Sequence, residues 1–160
     1  MIILGVDPGI NSVGYGVIRF NNYSNVDYIA SGLIKTKPSE LLYIRLAHII
    51  SGVEAIINDF KPNLIGMEEV FINKNAASSI KLCHARGAIM SVIGKLGCNF
   101  SEISPNSVKK TVTGSGHADK NQVFYMVKII LKQSQLKISP DESDALAVAF
   151  SVGVLNQNFL

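Results

Sequence analysis
The chain of 160 residues has no tryptophan, only two cysteines and only three histidines. Cys83 and Cys98 fall outside any C-x-x-C or Cys/His spacing, so neither a disulfide framework nor a structural zinc site is indicated, and both are expected to be reduced packing residues. His48, His84 and His117 are scattered, so each fits an exposed or internally satisfied side chain better than a metal ligand. Long apolar runs are missing too, none approaching the roughly 18 residues of a membrane span. The first residues read as a strand with no basic region ahead of them, unlike a signal peptide. A soluble protein working inside the cell is expected. The length, with 48% hydrophobic residues, suffices for a single domain over 1–160 whose core needs no staples.

Negative charge is scarce in the middle of the chain. Between Val70 and Pro140 ten Lys/Arg stand against two acids, Glu102 and Asp119, a net of +8 in a chain whose total is +3, which leaves −5 for the remainder. A basic centre framed by acidic ends suits a polyanion held by lysines and presented to acid-bound metal. For Lys128, Lys132 and Lys137, at helical spacing, a solvated face is the simpler reading.

What is present begins with M-I-I-L-G-V-D-P-G-I-N-S-V-G-Y-G-V-I-R-F. A short apolar run ends on Asp7, Pro8-Gly9 and Asn11-Ser12 turn the chain, and Val13 to Phe20 returns as a second strand. A carboxylate at the end of an apolar strand costs several kcal/mol to bury unless it is paired or holds a cation. Val26 to Thr36 predicts a third strand. A helix is expected from Pro38-Ser39-Glu40, with Leu42, Leu46, Ile49, Val53, Ile56 and Phe60 as a core-facing stripe, ending at Lys61-Pro62. Asn63 to Val70 predicts a fourth strand, parallel to the first through the crossover, so that Glu68 should stand beside Asp7 at their shared C-terminal edge.

Phe71 to Asn75 reads as a polar loop carrying one aromatic, followed by a helix over 76–97 whose small residues suit either a subunit interface or packing on the chain's own sheet. Cys98 to Ile103 predicts a fifth strand. Ser104 caps a short helix bearing Lys109 and Lys110, and Gly114-Ser115-Gly116 opens a loop that, with Lys109 before it and Lys120 after it, can fold round a phosphate. A further helix runs from Asp119 to Lys132. The last begins at Ser139-Pro140-Asp141-Glu142-Ser143-Asp144 and puts Asp141 and Asp144 on one face, able to grip one ion. Dipole compensation alone explains acids in a first turn. Asp144 fits that explanation less well, because it immediately precedes the apolar A-L-A-V-A-F run.

In this order, G-V-D-P-G-I-N-S-V-G-Y-G-V, M-E-E-V-F, N-A-A-S-S-I-K-L-C-H-A-R-G, V-K-K-T-V-T-G-S-G-H-A-D-K-N-Q-V and D-E-S-D-A-L-A-V-A resemble the RuvC Holliday-junction resolvases of the RNase H-like superfamily over nearly the whole chain. The resemblance implies an α/β fold with a five-stranded mixed sheet, its first three strands antiparallel and the others parallel, flanked by helices on both faces. It implies Asp7, Glu68, Asp141 and Asp144 as metal-binding catalytic acids. Phe71 is implied to meet bases at the crossover, with Lys109 and Lys120 on phosphates and Asn73, Lys74, Lys81 and Arg86 as further DNA contacts. The implied activity is symmetric hydrolysis of four-way junctions in recombination and repair, leaving 5′-phosphate and 3′-hydroxyl ends. A homodimer, a bacterial cytoplasmic setting and the RuvA–RuvB branch-migration complex as partner are also implied. Oxygen-only ligands favour Mg²⁺, two ions per site, with Mn²⁺ as a substitute. Glu69 beside Glu68, where Gln is expected, leaves open which acid points inward, and His117 has no assigned role. Two rival readings are an actin-like ATPase, disfavoured by the lack of a second lobe, and a junction clamp whose acids do no chemistry.

Overall fold
The computed structural model describes residues 1–70 and 76–157. The opening stretch forms β1 (Ile2–Asp7) and β2 (Ser12–Asn22), paired antiparallel with Asp7 opposite Gly14. β3 (Asn25–Lys35) pairs antiparallel with β2. Helix α1 (Leu42–Phe60) crosses over to β4 (Leu64–Glu68), parallel to β1 with Val6 opposite Met67, so Asp7 and Glu68 end neighbouring strands on the next rung. Helix α2 (Ala76–Lys95) then leads to β5 (Phe100–Ile103), parallel to β4. The sheet order is β3-β2-β1-β4-β5, the expected mixed sheet. Three further helices follow among the described residues: α3 (Pro105–Thr113), α4 (Lys120–Ile130) and α5 (Pro140–Leu155).

One helix start differs from the reading of the sequence. Helix α1 begins at Leu42 rather than at Pro38, because 38–40 close a turn in which the Glu40 amide donates to the Lys37 carbonyl at 3.0 Å. Its far end is as expected, with Lys61 in the left-handed region at φ 46° and Pro62 behind it.

Alternation along the strands sorts side chains onto two faces. Leu4, Val6, Ile65 and Met67 pack with α1 and α2 residues such as Ile49, Val53, Ala85 and Ile89, while Ile3 and Leu64 pack with α3, α4 and α5. Gly5 and Gly66 also face α5. The same parity sends Asp7 and Glu68 to the α5 side. It sends Glu69 the other way, and Glu69 is exposed.

Helix α5 is buried on all sides from Ala145 to Gly153, between the sheet and the α3–α4 pair. It approaches β1 and β2 over glycine. A Cβ on Gly5 would overlap the Ala145 carbonyl oxygen and stand 2.6 Å from the Ala149 nitrogen, and one on Gly14 would overlap the Asp141 carbonyl oxygen. This close seating sets the height of the first turn of α5 above the ends of β1 and β4.

Candidate active site
The start of α5 is held by a capping box. The Ser139 hydroxyl accepts from the Glu142 amide at 3.3 Å, and the Glu142 carboxylate accepts from the Ser139 amide and hydroxyl at 2.8 Å each. Ser31 of β3 donates to the other Glu142 oxygen at 2.9 Å, which ties the helix start to the sheet. Burial raises the Glu142 carboxyl, but the Ser139 and Ser31 hydrogen bonds outweigh it and hold the group below its ordinary value. Glu142 is therefore occupied with structure. Asp141 and Asp144, on the same turn, are left to act on Asp7.

A cleft of about 240 Å³ opens between the ends of β1 and β4, α3, α4 and α5, and its lining includes Asp7, Glu68, Asp144, Lys109 and Lys120. Asp7 sits at its base. Burial, then the charges of Asp144, Asp141 and Glu68, push its carboxyl up from 3.8 to about 7. Glu68 is raised as well, by burial first and then by Asp144, against the opposing charges of Lys120, Lys109 and Arg86. Asp141 lies outside the cleft lining but inside the field that reaches Asp7.

Lys120 is the first residue of α4, whose N-cap Asp119 makes its own capping box with Gln122. That start places the Lys120 ammonium 3.1 Å from Asp144 Oδ2, and the carboxylate holds the amine above its ordinary value. Gly114, at φ 81°, ends α3 by donating its amide to the Lys110 carbonyl at 2.8 Å. The G-S-G segment thus terminates a helix and spaces Lys109 from Lys120, so that both lysines line the cleft.

Among the described residues, Arg86, Lys81 and His117 lie outside the cleft lining. Arg86 of α2 is only 11% exposed and donates to the Glu68 backbone carbonyl and to the Glu102 carboxylate of β5, bracing the two strand ends beside the cleft. Burial pulls its guanidinium below its ordinary value. Lys81 is exposed on α2, away from the cleft lining, and His117 is exposed in the loop before α4. Phe71, Asn73 and Lys74 lie outside the described residues. Reading the sequence missed Arg45, which is 8% exposed inside the stripe of α1 assigned wholly to the core. The available signal was an arginine one turn from both Leu42 and Ile49.

Among the described residues the acids that line the cleft, Asp7, Glu68 and Asp144, offer hard oxygen donors, the ligand chemistry of Mg²⁺ or Mn²⁺. Among the described residues no three acid, histidine or cysteine side chains are already gathered as a ligand cage, and Asp144 holds Lys120 instead. A carboxyl pushed to about 7 by burial and by three neighbouring acids is short of positive charge, so the donor set fits a divalent cation.

Comparison with known proteins points to one family. The family model described as crossover junction endodeoxyribonuclease RuvC matches residues 3–152. The crossover junction endodeoxyribonuclease RuvC of Rickettsia africae (strain ESF-5) is 45% identical over 151 residues, covering 94% of this chain and 96% of that protein. The structure of Thermus thermophilus RuvC in complex with Holliday junction substrate aligns with a TM-score of 0.93 at 28% identity, covering 99% of this chain and 96% of that one. A second Thermus thermophilus RuvC structure aligns at 0.89 with 27% identity, covering 99% and 97%. A match through both the sheet and the acid-bearing first turn of α5, at this coverage, places the chain in the RuvC family of crossover junction endodeoxyribonucleases.

Proposed function
We propose that this chain, as one nuclease domain over 1–160, resolves four-way (Holliday) junctions by metal-dependent phosphodiester hydrolysis during recombination and repair. The observation that carries this reading is the convergence of Asp7, Glu68 and Asp144 with Lys109 and Lys120 in a single cleft. Asp7, Glu68, Asp141 and Asp144 would hold two Mg²⁺ ions, which when bound would neutralise charge at the scissile phosphate and supply a nucleophilic water at neutral pH. Water attacks phosphorus in line and the bond to the 3′ oxygen breaks, leaving 5′-phosphate and 3′-hydroxyl ends. Lys109 and Lys120 grip phosphates. Lys120 pairs with Asp144 through Oδ2 alone, which leaves Oδ1 for a cation and the remaining ammonium hydrogens for a phosphate.

Phe71, three residues after Glu68 in the sequence, stacks on an unpaired base at the crossover, and Asn73, Lys74 and Lys81 extend the contact. Arg86 braces the strand ends from behind. Two opposed cuts require two sites, and a homodimer supplies them. Its support is α2, which turns Ala85, Ile89 and Val92 inward and leaves Ile80, Gly87, Met90 and Gly94 exposed, with open space beside both glycines. Small residues on an outer face let a second helix approach closely. A cytoplasmic setting and the RuvA–RuvB motor complete the reading.

Calorimetric titration with Mn²⁺ tests the ligand assignment. Two ions per chain are expected for the wild type and at most one for Glu68→Gln; equal stoichiometry and affinity in both would contradict the role of Glu68. Lys109→Ala and Lys120→Ala should each weaken junction binding and reduce the log–log salt slope by about 0.9. An unchanged slope would return these lysines to a merely solvated face. Phe71→Ala is expected to melt like wild type, bind with modest loss and cut much more slowly, with Tyr or Trp preserving more activity than Leu, since base stacking contributes roughly 1–3 kcal/mol. A Leu variant cutting at the wild-type rate would remove the stacking role.

A further inference from the structure
The turn between β1 and β2 is held from beneath by a buried cation with no carboxylate partner among the described residues. Arg45 donates through Nε to the Thr36 hydroxyl at 3.0 Å and through Nη2 to the Ile10 carbonyl at 2.8 Å and to Asn11 Oδ1 at 2.6 Å. Thr36, itself buried, adds its hydroxyl to the Ile10 carbonyl at 2.6 Å and its amide to the Asn11 carbonyl at 3.0 Å. A buried guanidinium satisfied only by neutral acceptors is costly, and its position needs a reason beyond packing.

Its effect on Asn11 supplies one. Guanidinium is purely a donor, so the Asn11 atom it meets is the amide oxygen, and the amide NH₂ must point the other way. Asn11 is exposed, and no acceptor among the described residues takes that NH₂. The turn also lies at the carboxyl end of β1, a few residues after Asp7. Lys109 and Lys120 line the cleft together with Asp7 and Glu68, and α3, which carries Lys109, follows directly on β5, the edge strand beyond β4. A strand laid across the acids needs a second hold on the β2–β3 side, and there Asn11 is flanked by exposed Lys35, across from Ser12, and by Lys37.

We propose that Asn11, turned outward by Arg45, donates a hydrogen bond to a phosphate of the bound strand on the side of the acids opposite Lys109 and Lys120. Arg45 is then a positioning residue for a DNA contact. The proposal rests on the junction-cleavage reading and goes beyond it by assigning the second bank of the cleft.

Asn11→Asp separates this role from a structural one. Aspartate still accepts from Arg45 and gains an ion pair, so melting should stay at or above the wild-type temperature. It cannot donate, and it adds a negative charge toward the phosphate. Junction affinity in Ca²⁺ and kcat/KM in Mg²⁺ are expected to fall about tenfold or more, mostly through KM. In an Asn11→Ala background, Arg45→Met should cause no further loss of affinity. Wild-type binding and cleavage by a normally melting Asn11→Asp would overturn the proposal, as would a lowered melting temperature, since Arg45 would then not be holding that side-chain oxygen. If the wild type itself fails to cut the junction, the functional reading fails first and takes this inference with it.

Discussion

Asp7→Asn is expected to lower junction cleavage by about a thousandfold or more while junction affinity holds or rises. The substitution removes one ligand oxygen's charge and keeps the shape. It also subtracts a negative charge from a cleft whose two lysines remain, so the DNA is repelled less. The same variant should be the more stable protein when metal is chelated. Asp7 titrates near 7 in the fold against an ordinary 3.8, so between about pH 4 and 7 the native state keeps a proton that the unfolded chain has lost. Stability from this group is thus greatest at acid pH and falls as pH rises through that window, by on the order of 3 kcal/mol when complete. Asparagine carries no such dependence. Melting curves in chelator should coincide for the two proteins near pH 4, diverge up to pH 7 and then run parallel, with the wild type lower. Adding Mg²⁺ at pH 8 should raise the wild type and leave the variant nearly unmoved. Coincident curves at every pH would mean that burial does not strain Asp7.

Gly5→Ala is expected to cost about 3 kcal/mol of stability, a fall in melting temperature of roughly 10 °C for a chain of this size. The added methyl would overlap the Ala145 carbonyl of α5, a backbone atom that cannot rotate aside. Relief requires lifting the whole helix, and Asp141 and Asp144 would rise with it. Cleavage by the folded fraction at low temperature should therefore fall more than junction binding does. A variant that melts and cuts like the wild type would show that the close seating of α5 on β1 is unnecessary.

Much of this was legible in the residues. The crossover from β1 through α1 to β4 put Asp7 and Glu68 on one edge, as the order of strands and helices implied. The question left open at Glu69 was answerable by counting in twos: Leu64, Gly66 and Glu68 share a face, so Glu69 must turn away. Arg45 was not legible, because a helical stripe read by hydrophobicity passes over an arginine inside it, and only the tertiary position of the β1–β2 turn gives that charge its acceptors. Arg86 was read as a DNA contact in a basic segment. Its burial against Glu102 and the Glu68 carbonyl depends on β5 lying beside β4, a long-range fact that composition does not carry. Helix α5 shows the opposite case. An apolar run on every side of the helix left no face for solvent, so its burial followed from the sequence alone.

The most direct measurement uses a synthetic four-way junction with each strand labelled in turn, incubated with the wild-type protein in Mg²⁺ or in chelator, and with the products tested for religation. Paired nicks at matching positions in two opposed strands are expected, sealable by ligase because they carry 5′-phosphate and 3′-hydroxyl ends. They should appear only with the divalent cation and leave a linear duplex of the same sequence intact. Cleavage that persists in chelator, equal cutting of the duplex, or an uncut junction bound at saturation would contradict a metal-dependent junction nuclease built on Asp7, Glu68, Asp141 and Asp144.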